Sequence, residues 1–257
     1  MLRLAAVTVF VLTALAAVAA HGEVFQHESL RVSVNASITP HALPRQRPAP
    51  VTVRLGGRIS TADGTRPPAL QELSIEINRA GLLSSRGLPA CSAPKLQQTT
   101  TEAALAACRE ALVGHGGFGA SVDFPGAPAI PAEGKVLVFN ARVDGRPGML
   151  LHLYGSRPVR AAFVLPFAIS RRSRGRFGSV LTTRIPNLAS GLGYITRLQI
   201  QIGRRYSYLG GRRSFLSASC AAPPGFSGGP FELAKMTFSF DDGRQVVAPL
   251  ERNCRVR

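Results

Sequence analysis

The sequence predicts an all-β protein: an antiparallel β-sandwich, immunoglobulin-like or jelly-roll-like, with one short α-helix near residues 101–113. Three observations predict it. Apolar and polar residues alternate with period two in segment after segment, the pattern of strands with one buried face. Gly, Pro or Asp-Gly breaks separate these segments, as in a chain of short strands and turns. Only one stretch carries both the composition and the start signal of a helix.

Residues 1–20 read as a secretory signal peptide: Arg3, then the apolar run Leu4 to Leu15, then small residues ending at Ala20. The small residues Ala17, Ala19 and Ala20 favour cleavage beside Ala20 over retention as an anchor. Residues 21–257 are then expected to form a single domain with no spanning segment after cleavage. A boundary near Gly114 is the alternative, because the glycine-rich stretch Gly114 to Gly119 could be a junction.

Leu30, Val32, Val34, Ala36 and Ile38 alternate with polar residues, as do Val51, Val53 and Leu55, and Leu73, Ile75 and Ile77. Between the first two of these strands, Pro40 to Pro50 holds four prolines, which cannot join a central ladder and imply a loop or edge. Thr99 stands three residues before Glu102, the spacing of a capping box, and Ala103 to Val113 follows with good helix formers before Gly114. Strands are then expected over residues 118–124, 136–143, 149–154, 159–169, 177–185, 194–202, 214–219, 233–240 and 245–250. Asp241-Asp242-Gly243 makes the last hairpin turn.

The four cysteines, Cys91, Cys108, Cys220 and Cys254, match no zinc spacing and no CxxC redox pair. With export they become two disulfides. Of the three connectivities the local pairs are favoured, Cys91 with Cys108 and Cys220 with Cys254. No metal or cofactor is expected.

Net charge is +17, from 31 basic and 14 acidic residues. The excess is segregated: between Gly145 and Phe231 there is no Asp, Glu or Lys, but thirteen arginines. Genome composition can explain Arg in place of Lys, but not the absence of acids. Eight arginines fall around two turns, Arg171, Arg172, Arg174 and Arg176 around one, Arg204, Arg205, Arg212 and Arg213 around the other. If both turns leave the same end of the sandwich they make an anion-binding rim, since guanidinium forks suit phosphate, sulfate and carboxylate oxygens. The expected partner is an anionic envelope polymer or an anionic surface. Nucleic acid is not expected, because export removes it and no nucleic-acid module is present. The chain has no Trp and four Tyr, a poor supply for stacking neutral sugars or bases.

Two segments suggest chemistry. Gly225-Phe226-Ser227-Gly228-Gly229-Pro230 resembles the nucleophile segment of chymotrypsin-like serine proteases, which implies Ser227 as nucleophile with a histidine and an aspartate to activate it. His41 is the upstream histidine, and Asp63 and Asp123 are the aspartates available. None has the family's surrounding residues, and Phe226 stands where the family has an aspartate. The expected reading is therefore a loop, with a secreted hydrolase built on a degenerate segment as the alternative. If cleavage follows Ala20, the chain opens His21-Gly22-Glu23, similar to copper-dependent polysaccharide monooxygenases, whose N-terminal amine and imidazole hold the metal. A second ligand would come from His27, His41, His115 or His152, none of which lies in a matching motif.

LAACREALVG (Leu105 to Gly114), FVLPFAI (Phe163 to Ile169) and RRSFLSASC (Arg212 to Cys220) resemble segments of a family of secreted bacterial proteins without an assigned activity. The resemblance implies export and a β-rich body and no mechanism. The expected function is thus a secreted or envelope-associated, non-catalytic binding or structural module with an arginine-rich face.

Overall fold

The computed structural model describes residues 22–157 and 160–257. The signal-peptide reading of residues 1–20, and the metal reading of His21, lie outside the described residues. In chain order the strands are β1 (Glu23–His27), β2 (Leu30–Thr39), β3 (Ala42–Leu43), β4 (Ala49–Pro50), β5 (Thr52–Thr61), β6 (Leu70–Asn78) and β7 (Gly81–Leu83). The helix α1 (Thr101–Cys108) follows. Then come β8 (Leu112–Val122), β9 (Ile130–Val143), β10 (Arg146–Gly155), β11 (Ala161–Arg171), β12 (Phe177–Arg184), β13 (Gly193–Ile202), β14 (Arg205–Tyr208), β15 (Gly211–Ser214), β16 (Leu216–Ala218), β17 (Gly228–Phe240) and β18 (Gln245–Val256).

The protein is all-β with one short helix. Thirteen strands form one sheet in the order β1-β2-β5-β13-β8-β9-β10-β11-β12-β6-β17-β18-β3, antiparallel except at β18–β3. The expected two layers are the two halves of this one sheet, which curls until its ends meet. Inward residues of β2 (Leu30, Val32, Val34) share one core with Met236 and Phe238 of β17 and Ala248 and Leu250 of β18. At the seam a side chain stands in for a ladder: Arg252 of β18 donates to the Ala36 carbonyl of β2 at 2.6 Å and pairs with Glu23 of β1.

The curl depends on glycines in β8. A Cβ at Gly116 would lie 1.9 Å from the Gln199 carbonyl oxygen of β13, and one at Gly114 would lie 2.4 Å from that of Gln201. The two backbones approach more closely there than any side chain permits. The stretch Gly114 to Gly119 therefore runs through the middle of a sheet strand, paired on both sides.

The helix starts at Thr101 as expected but is shorter than the sequence predicts, and its cap lies one residue after Thr99. Its N-cap is Thr100, whose hydroxyl accepts from the Ala103 amide at 3.2 Å, while the Thr99 hydroxyl donates to the Leu96 carbonyl instead. After Cys108 the chain makes one 3-10 turn, Arg109–Ala111, and Leu112 already pairs with Phe139 in the sheet. Strand pairing thus takes the end of the expected helix. Helix and preceding loop cover the outer face of β9 and β10 and bury Leu96, Ala104, Leu137, Phe139 and Leu150 in a second core.

Both disulfides pair as expected, Cys91 with Cys108 and Cys220 with Cys254. The first pins α1 to the loop before it. The second ties β18 to the segment after β16, beside Ile38, Leu43 and Val51. Each closes a short loop, worth about 3 kcal/mol on chain-entropy grounds.

The centre of the curled sheet is not filled. A cavity of about 180 Å³ lies between its halves. Ala36, Leu55, Ile75, Ile77, Leu198 and Leu233 occupy core-facing positions yet are only half-buried, because they look into it. At about 24 cal/mol per Å³, leaving such a space unpacked costs roughly 4 kcal/mol.

Candidate functional site

The register places both arginine turns at one end of the sheet. Arg171 pairs with Ser179 and Asn78 with Phe177, so the β11–β12 hairpin leaves where β6 ends. Following the ladders through β10, β9 and β8, Gly148 faces Ala168, Met149 faces Asn140, Leu112 faces Phe139 and Gly114 faces Ile202. The chain leaving β13 toward β14 therefore departs from the same end.

Segment 79–88 joins the two turns. The Arg79 Nε donates to the Gly175 carbonyl at 2.9 Å, and an Arg171 guanidinium nitrogen donates to the Leu83 carbonyl at 3.2 Å. On the other side the Ser84 amide donates to the Phe215 carbonyl at 2.9 Å. The Tyr206 hydroxyl donates to the Arg86 carbonyl at 2.8 Å. Strands β14 and β15 form a hairpin through Leu209 and Gly210, both at positive φ, the geometry of a two-residue turn whose twist matches its strands.

The eight arginines do different work. Arg172 pairs with the buried Glu76, which also takes Lys235. Arg176 pairs with Glu232. Arg204 donates to the carbonyls of Glu110 at 2.8 Å and Leu112 at 2.7 Å, satisfying backbone acceptors left where the 3-10 turn enters β8. These three are committed to the fold. Arg171, Arg174, Arg205, Arg212 and Arg213 have no carboxylate within 4.0 Å among the described residues. All five are exposed.

A cleft of about 330 Å³ opens at this end between Arg86, Arg171, Asn140, Ser85, Ser179 and Phe215. It forms where inward-facing positions turn polar: Val138 gives way to Asn140 along β9, Ile169 to Arg171 along β11, and Leu181 to Ser179 along β12. Asn140 is 3% exposed. Its Nδ2 donates to the Pro89 carbonyl at 2.8 Å, which fixes the amide orientation, and its Oδ1 has no protein partner. A buried acceptor left unpaired costs about 1–3 kcal/mol. The cleft thus offers guanidinium donors for an anion, with the Asn140 amide buried in its wall. The sequence reading missed Arg86, Asn140 and Ser179. A signal existed for Asn140, an amide on the buried face of an otherwise apolar strand.

The catalytic readings fare differently. Ser227 sits in an exposed loop at the arginine end, its carbonyl accepting from the Val256 amide at 2.8 Å. The Arg45 guanidinium organises this loop, donating to the Pro223 carbonyl at 2.6 Å and the Phe226 carbonyl at 2.8 Å. His41 lies next to β3, on the far side of β18 from Ser227, two strand spacings or about 10 Å away. Asp63 and Asp123 belong to loops at the opposite end of the sheet, Asp123 paired with Arg66. Hydrogen bonds from the hydroxyl and amide of Thr65 hold the Asp63 carboxyl below the usual carboxylate range, a turn-forming role. The three residues implied by the protease resemblance are therefore not brought together. Among the described residues no three His, Cys, Asp or Glu side chains cluster as metal ligands, and no helix is long and apolar enough to cross a membrane. His27 ends β1, His115 lies in β8, and His152 is buried beneath the loop before α1.

No protein family, curated protein or solved structure matches this chain.

Proposed function

We propose that this is a secreted, non-catalytic binding module whose arginine-rich end engages an anionic polymer of the cell envelope, such as an acidic polysaccharide. The observation that carries this reading is the clustering: Arg171 and Arg86 line one cleft, and arginines 174, 205, 212 and 213 on the same end lack carboxylate partners among the described residues. Guanidinium groups hold the acidic oxygens. Two disulfides suit the oxidising side of a membrane.

Chromatography on immobilised polygalacturonate, with neutral dextran as control, tests it. The wild type is retained on the acidic matrix and eluted by salt, because surface ion pairs are screened over about 10 Å at 0.1 M ionic strength. Replacing arginines 174, 205, 212 and 213 with Ser abolishes retention without loss of fold. Arg171→Gln weakens retention on polygalacturonate and on dextran sulfate alike, because a guanidinium fork suits carboxylate and sulfate oxygens equally. Arg204 is left intact because it caps backbone acceptors. Equal retention of wild type and the quadruple variant sinks the proposal.

A further inference from the structure

The cavity inside the curled sheet is apolar along its whole length. Its lining runs from Ile38, Val51 and Leu216 at the arginine end, past Leu55, Ile75, Leu198 and Met236, to Ile185 and Ile195 at the other. Along β13 alone it follows the strand from Ile195 to Ile202, about 20 Å at the rise of an extended strand. A space this long and holding about 180 Å³ is narrow. It suits an unbranched chain better than a fused-ring or globular ligand. Apolar cavities of comparable volume stay dry and take apolar guests.

Small residues keep the space open. Gly57 is on the inward face of β5, between Leu55 and Ile59. A Cβ there would meet nothing nearer than the Ser33 carbonyl oxygen at 3.9 Å, and its φ is an ordinary one. The backbone therefore does not require glycine at this position, unlike Gly114 and Gly116, and a strand-interior glycine weakens a sheet. Ala36 of β2 pairs with Leu55 and also faces the cavity. Larger side chains at these two positions would fill it.

We infer that the interior of the curled sheet is a binding site for the hydrocarbon chain of a single-chain lipid, held between Gly57 and Ala36 on one wall and Ile75, Met236 and Leu181 on the other. Leu83 lines both the cavity and the arginine cleft, so the headgroup of an acidic lipid lies within reach of Arg171. This site is independent of the anionic-polymer reading: it depends on the interior, not on the exposed arginines.

The test is titration of the purified protein with isotope-labelled palmitate, followed by NMR. The wild type binds one equivalent saturably, with methylene resonances shifted by the ring of Phe167. Gly57→Phe and Ala36→Phe each weaken binding more than tenfold, whereas the quadruple arginine variant used for polymer retention keeps it. Hexadecane, which has no headgroup, displaces the labelled chain. Should neither filled variant fold, the hexadecane competition on the wild type decides. The inference is overturned if palmitate fails to bind, if folded filled variants bind as the wild type does, or if hexadecane fails to compete, which would assign palmitate to the arginines.

Discussion

At the scale of single residues, the polar groups inside the apolar layers carry the most information. His152 is fully buried, its Nε2 donating to the Thr99 carbonyl at 3.0 Å, and its Nδ1 has no partner. Burial pushes this imidazole below its ordinary value of 6.5, against a weaker pull upward from the Thr99 bond. Folded protein therefore keeps His152 neutral, while unfolded chain takes up a proton as pH drops below 6.5. The stability contribution is complete above that pH and is lost as pH falls toward the depressed folded value, with a slope of at most about 1.4 kcal/mol per pH unit. His152→Gln keeps a donor and removes the titration, so its urea midpoint changes less than that of the wild type from about pH 7 to about pH 5. Identical slopes for the two proteins would place the acid sensitivity elsewhere. Asn140 is the other such group, its Oδ1 buried and without a partner in the wall of the arginine cleft.

At the scale of elements, two glycine positions in β8 and β5, the strands on either side of β13, make opposite demands. Gly116→Ala drives a methyl group into the β13 backbone and is expected to destabilise by at least the roughly 1–3 kcal/mol of an overpacked core. Gly57→Ala meets open space and is expected to be neutral or stabilising, because it removes chain entropy from the unfolded state without strain. Thermal or urea unfolding of the pair checks both signs, and a neutral Gly116→Ala would remove the close-approach account of the curl. Strands over 30–38 and 194–202 were legible because period two needs only one buried face, and the strand at 149–154 because it is an apolar run broken only by His152, buried on both faces beneath α1. The helix end was not legible: residues 109–113 favour a helix locally, but Leu112 has a strand partner in Phe139 that local sequence does not reveal.

At the scale of the whole molecule, the seam and the arginine end matter most. Arg252 joins β18 to β1 and β2 where no ladder closes the sheet. Arg252→Met removes charge-assisted hydrogen bonds worth about 1.5–3 kcal/mol. It is expected to speed amide exchange in β1 and β2 while leaving β8 to β11 protected, and uniform exchange across the sheet would show that the seam is held by other contacts. The arginine turns were legible as charge clusters, and the structure adds how they divide. Arg172, Arg176 and Arg204 serve Glu76, Glu232 and backbone carbonyls, while five others have no acidic partner among the described residues. Sequence could not separate them, since the partner of each lies more than fifty residues away along the chain.

By itself the sequence determined the β class, the alternating buried faces, the pairing of the four cysteines and the concentration of arginine in two turns, because each of these follows from local periodicity, short loop closure or composition. Only the tertiary structure decided that one sheet curls upon itself, that both turns share an end, that Asn140 is left without a partner, and that the interior holds a cavity. Those depend on strand order and on contacts between distant segments, which are set by how whole strands pack and not by the residues within any one of them.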